Sequence, residues 1–490
     1  MEENRRSYKQ ILKSTTIVGG AQAINIIIGV IRNKIVAILL GPAGVGIAGM
    51  LQTIVELVKS ATGLGINFSG VKSIAEHNDN PQKVARTILI LQRWEFSTGL
   101  VGTILVVCLC KFFSYYSFGN NAYTYSILLM SITLLIGAVS AGQLAVLQGL
   151  RKIKEMAKAT LLGAIFGTSI SIPILWWMGN KGIVPSMILT SAGSLVISWL
   201  YVKKIKIEKV KLSFRETFFG GLGMAKLGFF IVVNGFVATV SLYVVRIEIR
   251  SHLGVDYIGY FQAVWIISTM YVNVLLNSML ADYFPRLTAI KDDKEASNKL
   301  VNQQLEMTLL IGSPMLIAMI MFASIAITVL YAKSFDYAVT VLRWHLMASF
   351  FTFISYTIGV LYLSLNKGWY AIIVETVRQV TFISSVFLVW NYIGFDILGI
   401  GFLIGNLIGL VLSIYTVKNL NSFVFSSVNI KNILVLGSFV SLSLVCALYF
   451  DTYFQYVLNT IILALTCAFC FFRLNELFGI KDSLKARFGR

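Results

Sequence analysis

Charge is scarce in this chain, and so are the residues that build redox, metal or nucleotide chemistry. Only 13% of the 490 residues are charged, while 57% are hydrophobic and the mean hydropathy is +0.78. No soluble core needs that much apolar surface, so the composition specifies a polytopic membrane protein. The five cysteines (Cys108, Cys110, Cys446, Cys467 and Cys470) all fall inside apolar stretches. The CxxC spacing of "CAFC" at 467–470 has no redox βαβ unit around it, which leaves buried thiols. His77 and His345 have no ligand-spaced partner, so no metal site is expected. No GxxxxGK[ST], HExxH or GxSxG occurs, and no long loop lies outside the apolar runs. A P-loop nucleotide hydrolase, a zinc peptidase and a membrane polymerase with a folded external domain are thereby disfavoured.

What is present is a succession of apolar runs, each near the roughly 20 residues that a helix needs to cross a bilayer. Fourteen can be marked, among them 17–40, 47–68, 226–250, 258–281 and 301–330, ending with 432–449 and 454–472. Their length and glycine content predict helices, not the alternating strands of a barrel. The first run has no small-residue cleavage site and reads as a retained helix.

The net charge of +19 would suggest nucleic acid in a soluble chain. Here the positive-inside rule accounts for it, and no nucleic-acid partner is expected. Even-numbered connections carry clusters such as Arg151/Lys152/Lys154/Lys158 and Lys203/Lys204/Lys206/Lys209/Lys211/Arg215. Odd-numbered ones hold Lys111, Lys181 and Lys333, together with Asp256, Asp336, Asp396 and Asp451. Both termini are therefore expected in the cytoplasm.

An internal repeat organises the spans. Leu40-Gly41 aligned with Leu253-Gly254 brings Gly46 onto Gly259 without a gap. The expected architecture is two pseudo-symmetric six-helix lobes, 1–202 and 217–420, joined by a basic linker at 203–216. A two-helix hairpin and tail, 421–490, lies outside the repeat and should be dispensable to folding of the core. Transporters commonly place substrate at such a repeat interface. "GFLIGNLIG" at 401–409 has the small-xxx-small spacing of close helix packing.

Polar side chains follow helical stripes in four of these spans. Span 1 aligns Gln22, Asn25, Gly29 and Arg32, while Lys34 points about 200° away. Span 2 aligns Gln52, Glu56, Lys59, Gly63 and Asn67; span 7 aligns Thr239, Tyr243, Arg246 and Arg250; span 8 aligns Gln262, Trp265, Thr269, Asn273 and Asn277. A water-filled cavity lined by these four spans satisfies them all. Arg32, Arg246 and Arg250 have no acid on their own stripe, so the cavity should be cationic and its ligand anionic. Glu56/Lys59 and Glu375/Arg378 stand three residues apart, where ion pairing alone is the competing explanation. Glu56 and Glu375 are the candidate groups for proton or sodium coupling. No bound cofactor is expected.

The segment "LGPAGVGIAGMLQTIVELVKSATGLGINFSGVKSIAEHNDNP" (40–81) resembles the corresponding region of bacterial O-antigen and enterobacterial-common-antigen translocases. "IGYFQAVWIIS", "YFPRLT", "AKSFDYAVTVLRWHL" and "SLNKGWYAIIVETVRQ" resemble their C-terminal lobe. These are polysaccharide flippases of the multidrug/oligosaccharidyl-lipid/polysaccharide superfamily. The resemblance implies alternating-access transfer of undecaprenyl-diphosphate-linked oligosaccharide, O-antigen-type, to the periplasmic leaflet of the bacterial inner membrane. It implies partnership with polymerase and chain-length proteins, and no enzymatic activity. On that reading Arg32, Lys59, Arg246 and Arg250 hold the diphosphate. Gln22, Asn25, Gln52, Asn67, Thr239, Tyr243, Gln262, Trp265, Thr269 and Asn273 line the cavity and meet sugar. Lipid II flippases, more distant, carry a first-helix arginine nine residues before the loop glycine, which Arg32 matches. They carry another in helix 8, where this chain has none, and Arg246/Arg250 would substitute. Their two extra helices guide the lipid tail, and spans 13–14 resemble them in placement, whereas typical O-antigen translocases have twelve helices. A cation-coupled multidrug exporter of the same superfamily, which would show an excess of cavity carboxylates, and a membrane glycan polymerase or ligase are the alternatives.

Overall fold

The computed structural model describes residues 2–77, 79–208 and 210–478, with side chains described from residue 20 onward except 21, 227, 230, 231, 271, 281 and 478. Arg5, Arg6, Lys9 and Lys13, whose charges flank the first span, fall outside the described side chains. Among the described residues the chain is helical throughout, with sixteen α-helices.

The first compact unit comprises residues 1–259 and 330–332. It contains α1 (Glu2–Thr62), α2 (Ile66–Glu76), α3 (Pro81–Phe118), α4 (Thr124–Met130), α5 (Ile132–Gly149), α6 (Ile153–Met178), α7 (Ile183–Lys203), α8 (Phe214–Leu253) and the first residues of α9 (Val255–Ala289). The second comprises 260–329 and 333–490. It holds the rest of α9, then α10 (Lys294–Met321), most of α11 (Ala323–Leu330), α12 (Ala338–Ser364), α13 (Gly368–Ile393), α14 (Ile397–Asn421), α15 (Ser427–Tyr449) and α16 (Thr452–Phe478). The expected lobe boundary at 203–216 therefore differs from the observed one, because α8 packs against α1, α2 and α3.

Among the described residues, eleven continuous helical stretches are long and apolar enough to cross a membrane. Three of them, of 41, 51 and 54 residues, are long enough to cross twice, and counting them so gives the expected fourteen crossings.

Two glycines make the repeat visible in the backbone. Gly41 kinks α1 with φ 63° and ψ −171°, and Gly254 separates α8 from α9 with φ 89° and ψ −175°. Both lie in a region that essentially only glycine adopts, which explains why the Leu-Gly pair recurs. Ordinary signals set the other boundaries. Asn80 caps α3 by accepting from the Lys83 amide, ahead of Pro81, and Gly119 ends it with a left-handed turn. Ser213 and Glu216 form a capping box on α8, and Arg86 pairs with Glu216 at 3.0 Å.

Some expected helices are broken. The run 47–68 stops at Thr62 and restarts at Ile66, with Leu64 at φ 50° and Gly65 at φ 66°. Gly65 abuts the Gly228 backbone of α8, an approach that leaves no room for a Cβ. Similarly 301–330 divides at Phe322 into α10 and α11.

In the second unit α12 is the central helix, buried along its length by α10, α14 and α15. Gly401, Gly405 and Gly409 of α14 face Ser385, Phe382 and Arg378 of α13, so the small-residue stripe packs helices as expected. The C-terminal hairpin is fastened to this core. The Asn429 amide donates to the Asn302 carbonyl at 2.8 Å, Arg343 donates to the Ala447 carbonyl, and Arg473 pairs with Glu306 at 2.7 Å. The hairpin satisfies buried groups of the core, which counts against its being dispensable to folding.

Candidate functional site

The break in the 47–68 run creates a pocket. The last two turns of α1 supply Glu56, Lys59 and Ser60, the break supplies Gly63 and Gly65, and the first turn of α2 supplies Asn67. Helix α3 closes it with Glu95 and Thr98, and α5 and α8 contribute the remaining wall, enclosing 420 Å³. That is the size of a small-molecule site. Irregular backbone is tolerated at membrane depth only where it is buried in protein or lines a water-filled cavity, and broken helices mark substrate sites in transporters.

The charges here are few and placed. The Gln52 side-chain amide donates to Glu56 at 2.8 Å, and Glu56 also feels the Arg246 guanidinium. Glu95 is only 5% exposed and makes no side-chain hydrogen bond among the described residues; Lys59 is the cation whose field reaches it. Gly142 gives the Glu95 side chain its room, since a Cβ there would lie 3.0 Å from its Cγ. The pocket thus holds two carboxylates and one lysine. The expectation of an excess of positive charge is not met in this pocket, because the basic residues of the stripes go elsewhere.

Arg246 is 2% exposed, and its guanidinium donates to the Gly49 carbonyl and the Thr53 hydroxyl of α1. Arg250 donates to the Tyr116 carbonyl at 3.0 Å and covers Gly119, neutralising the C-terminal end of α3. Tyr243, one turn before Arg246, meets the Ser117 hydroxyl at 2.9 Å. These three side chains bind α8 to α1 and α3. Arg32, by contrast, is half-buried and makes no hydrogen bond or ion pair among the described residues. Register explains the difference. Arg32 stands nine residues before its turn glycine and Arg246 eight before its own, and one residue is a rotation of about 100°. The true counterpart of Arg32 is Val245, fully buried.

Of the other stripe residues in the first unit, Gln22 is exposed, Asn25 is half-buried, and the Thr239 hydroxyl donates to the Gly235 carbonyl of its own helix. In the second unit, Trp265 packs edge-on against His345 and Phe402, the Thr269 hydroxyl donates to the Trp265 carbonyl, Gln262 is buried and Asn273 exposed. Glu375 is paired with Arg378 and accepts from Gln379 at 2.7 Å. The pocket therefore joins Glu56, Lys59 and Asn67 from the expected set, and adds Glu95, Ser60 and Thr98. Glu95 could have been singled out as an intramembrane acid with no partner on its own helix.

A family described as "Polysaccharide biosynthesis protein" matches residues 35–340, more than half of the chain. The lipid III flippase of Escherichia coli (strain K12) is 23% identical over 277 residues, which are 56% of this chain and 66% of that protein. The chain thus spans slightly less than two thirds of that curated relative. Among solved structures, the lipid II flippase MurJ in an inward closed conformation is similar with TM-score 0.70 and 16% identity, over 94% of this chain and 98% of that one. A multidrug resistance MATE family transporter of the MOP superfamily, inward-facing, is similar with TM-score 0.66 and 15% identity, over 83% and 94%. At these identities the likeness is one of fold alone.

Proposed function

Because the chain belongs to the polysaccharide biosynthesis protein family, we propose that it is a flippase for polyprenyl-diphosphate-linked oligosaccharide. The observation that carries this reading is the pocket at the helix break, where Lys59 lies among Ser60, Asn67 and Thr98. A diphosphate and its sugars cannot cross hydrocarbon unaided, whereas the polyprenyl chain is at home there. Lys59 offers the phosphate a cation and the neighbouring hydroxyls and amide offer sugar its hydrogen bonds. Arg32, whose guanidinium makes no described contact, is the second phosphate ligand. Transfer runs from the cytoplasmic to the periplasmic leaflet of a bacterial inner membrane by alternating access, with both termini cytoplasmic, as the lysine-rich connections favour. The substrate leaves covalently unchanged and passes to the proteins that polymerise it and set chain length.

Two carboxylates beside one lysine supply the coupling. Lys59 balances Glu95 while the pocket is empty. A phosphate that claims Lys59 leaves a buried carboxylate uncompensated, and a proton or sodium ion must then join it. Substrate binding and cation uptake are linked by that shared lysine. The same carboxylate excess favours a second reading, a cation-coupled exporter of cationic compounds.

Reconstituted protein tests both. Purified protein should move undecaprenyl-diphosphate oligosaccharide across proteoliposomes with no change in its mass. Lys59→Ala should lose about tenfold or more in rate, the scale of one charged hydrogen bond. Glu95→Gln should transport at a rate indifferent to proton and sodium gradients. Transport of lipophilic cations that survives Lys59→Ala, with no glycolipid movement in the parent protein, would establish the exporter instead.

A further inference from the structure

Beside the charged pocket lies a second one of different character. The end of α1 (Ala61, Thr62 and the adjoining Leu64), one face of α3 from Arg93 to Val101, and the first turns of α8 (Phe214, Thr217, Phe218) enclose 440 Å³. The two spaces share Thr62 and Thr98 in their linings, so they lie side by side.

Almost every polar group of this groove is spent within the protein. Arg93 donates to the Leu212 carbonyl at 3.0 Å and the Thr217 hydroxyl at 2.8 Å, and the Trp94 indole donates to the Thr217 carbonyl at 2.8 Å. The hydroxyls of Thr62, Ser97, Thr98 and Thr217 each donate to a carbonyl within four residues. What they present outward is carbon. Trp94 is seated against Gly221, where any side chain would collide with the indole. Phe218 leans on Trp94 at 5.8 Å between ring centroids, and Phe214 is 85% exposed. The α3 wall runs on through Val101 to exposed Ile104, part of a face of that helix suited to lipid.

We propose that this groove seats the isoprenoid chain of the lipid-linked substrate, next to its diphosphate in the charged pocket. The inference rests on the flippase reading above. The chemistry is that of an amphiphile: a charged head needs Lys59, and the hydrocarbon directly attached to it needs an apolar channel that reaches the bilayer. A space whose own donors are already bonded takes hydrocarbon without leaving a buried polar group unmatched. The remainder of a long chain stays in the membrane.

The test uses the full-length protein in proteoliposomes and a polyprenyl-diphosphate disaccharide bearing a diazirine in its head-proximal isoprene units. Irradiation should label 97–101 and 214–218, and unlabelled substrate should compete. Labelling confined to other helices, or equal labelling by a diazirine phospholipid that the substrate does not displace, would overturn the proposal. Two blocking variants at exposed positions, Ser97→Trp and Val101→Trp, give an independent readout. Flipping of the long-chain substrate should fall about tenfold or more, the scale of excluding apolar groups from a pocket, while transport of an analogue with a methyl group in place of the isoprenoid chain is little affected. Equal loss of both substrates, with thermal unfolding unchanged, would also overturn it. A parent protein that moves neither substrate would instead refute the flippase reading.

Discussion

Gly46 and Gly259, equivalent positions of the internal repeat, meet backbone to backbone. A Cβ on Gly46 would lie 3.0 Å from the Gly259 amide nitrogen and closer still to the Val255 carbonyl; a Cβ on Gly259 would strike the Pro42 carbonyl. Backbone cannot rotate away as a side chain can. Gly46→Ala and Gly259→Ala should each lower stability by about 1–3 kcal/mol, the usual cost of overpacking. The double variant should lose less than the sum of the two, because the first displacement makes room for the second. Thermal unfolding in detergent measures all three. Additive losses would mean that the two positions do not share one contact.

Arg246 separates architecture from transport. Its acceptors are the Gly49 carbonyl and the Thr53 hydroxyl, deep in the first unit. Arg246→Ala should cost about 1.5–3 kcal/mol, the worth of hydrogen bonds to a charged group. Thr53→Val should cost part of that, and less again on the Arg246→Ala background. Lys59→Ala, at an exposed position, should leave the unfolding temperature near that of the parent while slowing transport about tenfold or more. An Arg246→Ala protein of unchanged stability and no activity would return this arginine to the substrate site.

Energy for the proposed transfer should come from the membrane. A diphosphate diester carries about two negative charges, and each moved through 100 mV is worth about 2.3 kcal/mol. Flipping should accelerate when a potassium–valinomycin gradient makes the loaded side negative, without nucleotide. In Glu95→Gln the dependence on potential should remain while that on ion gradients disappears. A strict requirement for ATP in the purified system would be incompatible with this account.

Truncation probes the hairpin. Ending the chain at Asn421 removes the Ala447 carbonyl from buried Arg343 and the Asn429 amide from Asn302. The product should show little folded protein by size-exclusion chromatography. Arg343→Met in the truncated chain should recover part of it, because an apolar side chain of similar length tolerates the missing acceptor. A monodisperse, stable truncated protein would show that these bonds matter little.

Much of this architecture is legible in the sequence, and the exceptions share a cause. The apolar runs, the recurring Leu-Gly turn and the polar stripe of Glu56 and Lys59 are local patterns, and local patterns survive translation into helices. The fate of Arg246 is not local: its acceptor is a main-chain carbonyl on another helix, which no spacing of side chains reveals. Glu95 looks ordinary on α3 because the space it occupies is made by Gly142, far along the chain. The break after Thr62 hides inside "TGLG", where the glycines suggest flexibility but the close approach of Gly228 decides the turn. The hairpin looks optional because it lies outside the repeat, yet its asparagine complements one in α10.

Trp94 carries a practical consequence. Its indole is fixed to Thr217 in the wall of the apolar groove, so its emission should report what fills that space. In a variant retaining Trp94 as its sole tryptophan, an arriving hydrocarbon chain should expel water and shift fluorescence to the blue, while a brominated chain should quench it. The molecule thus contains its own optical probe, positioned to time the first step of loading before any transfer occurs.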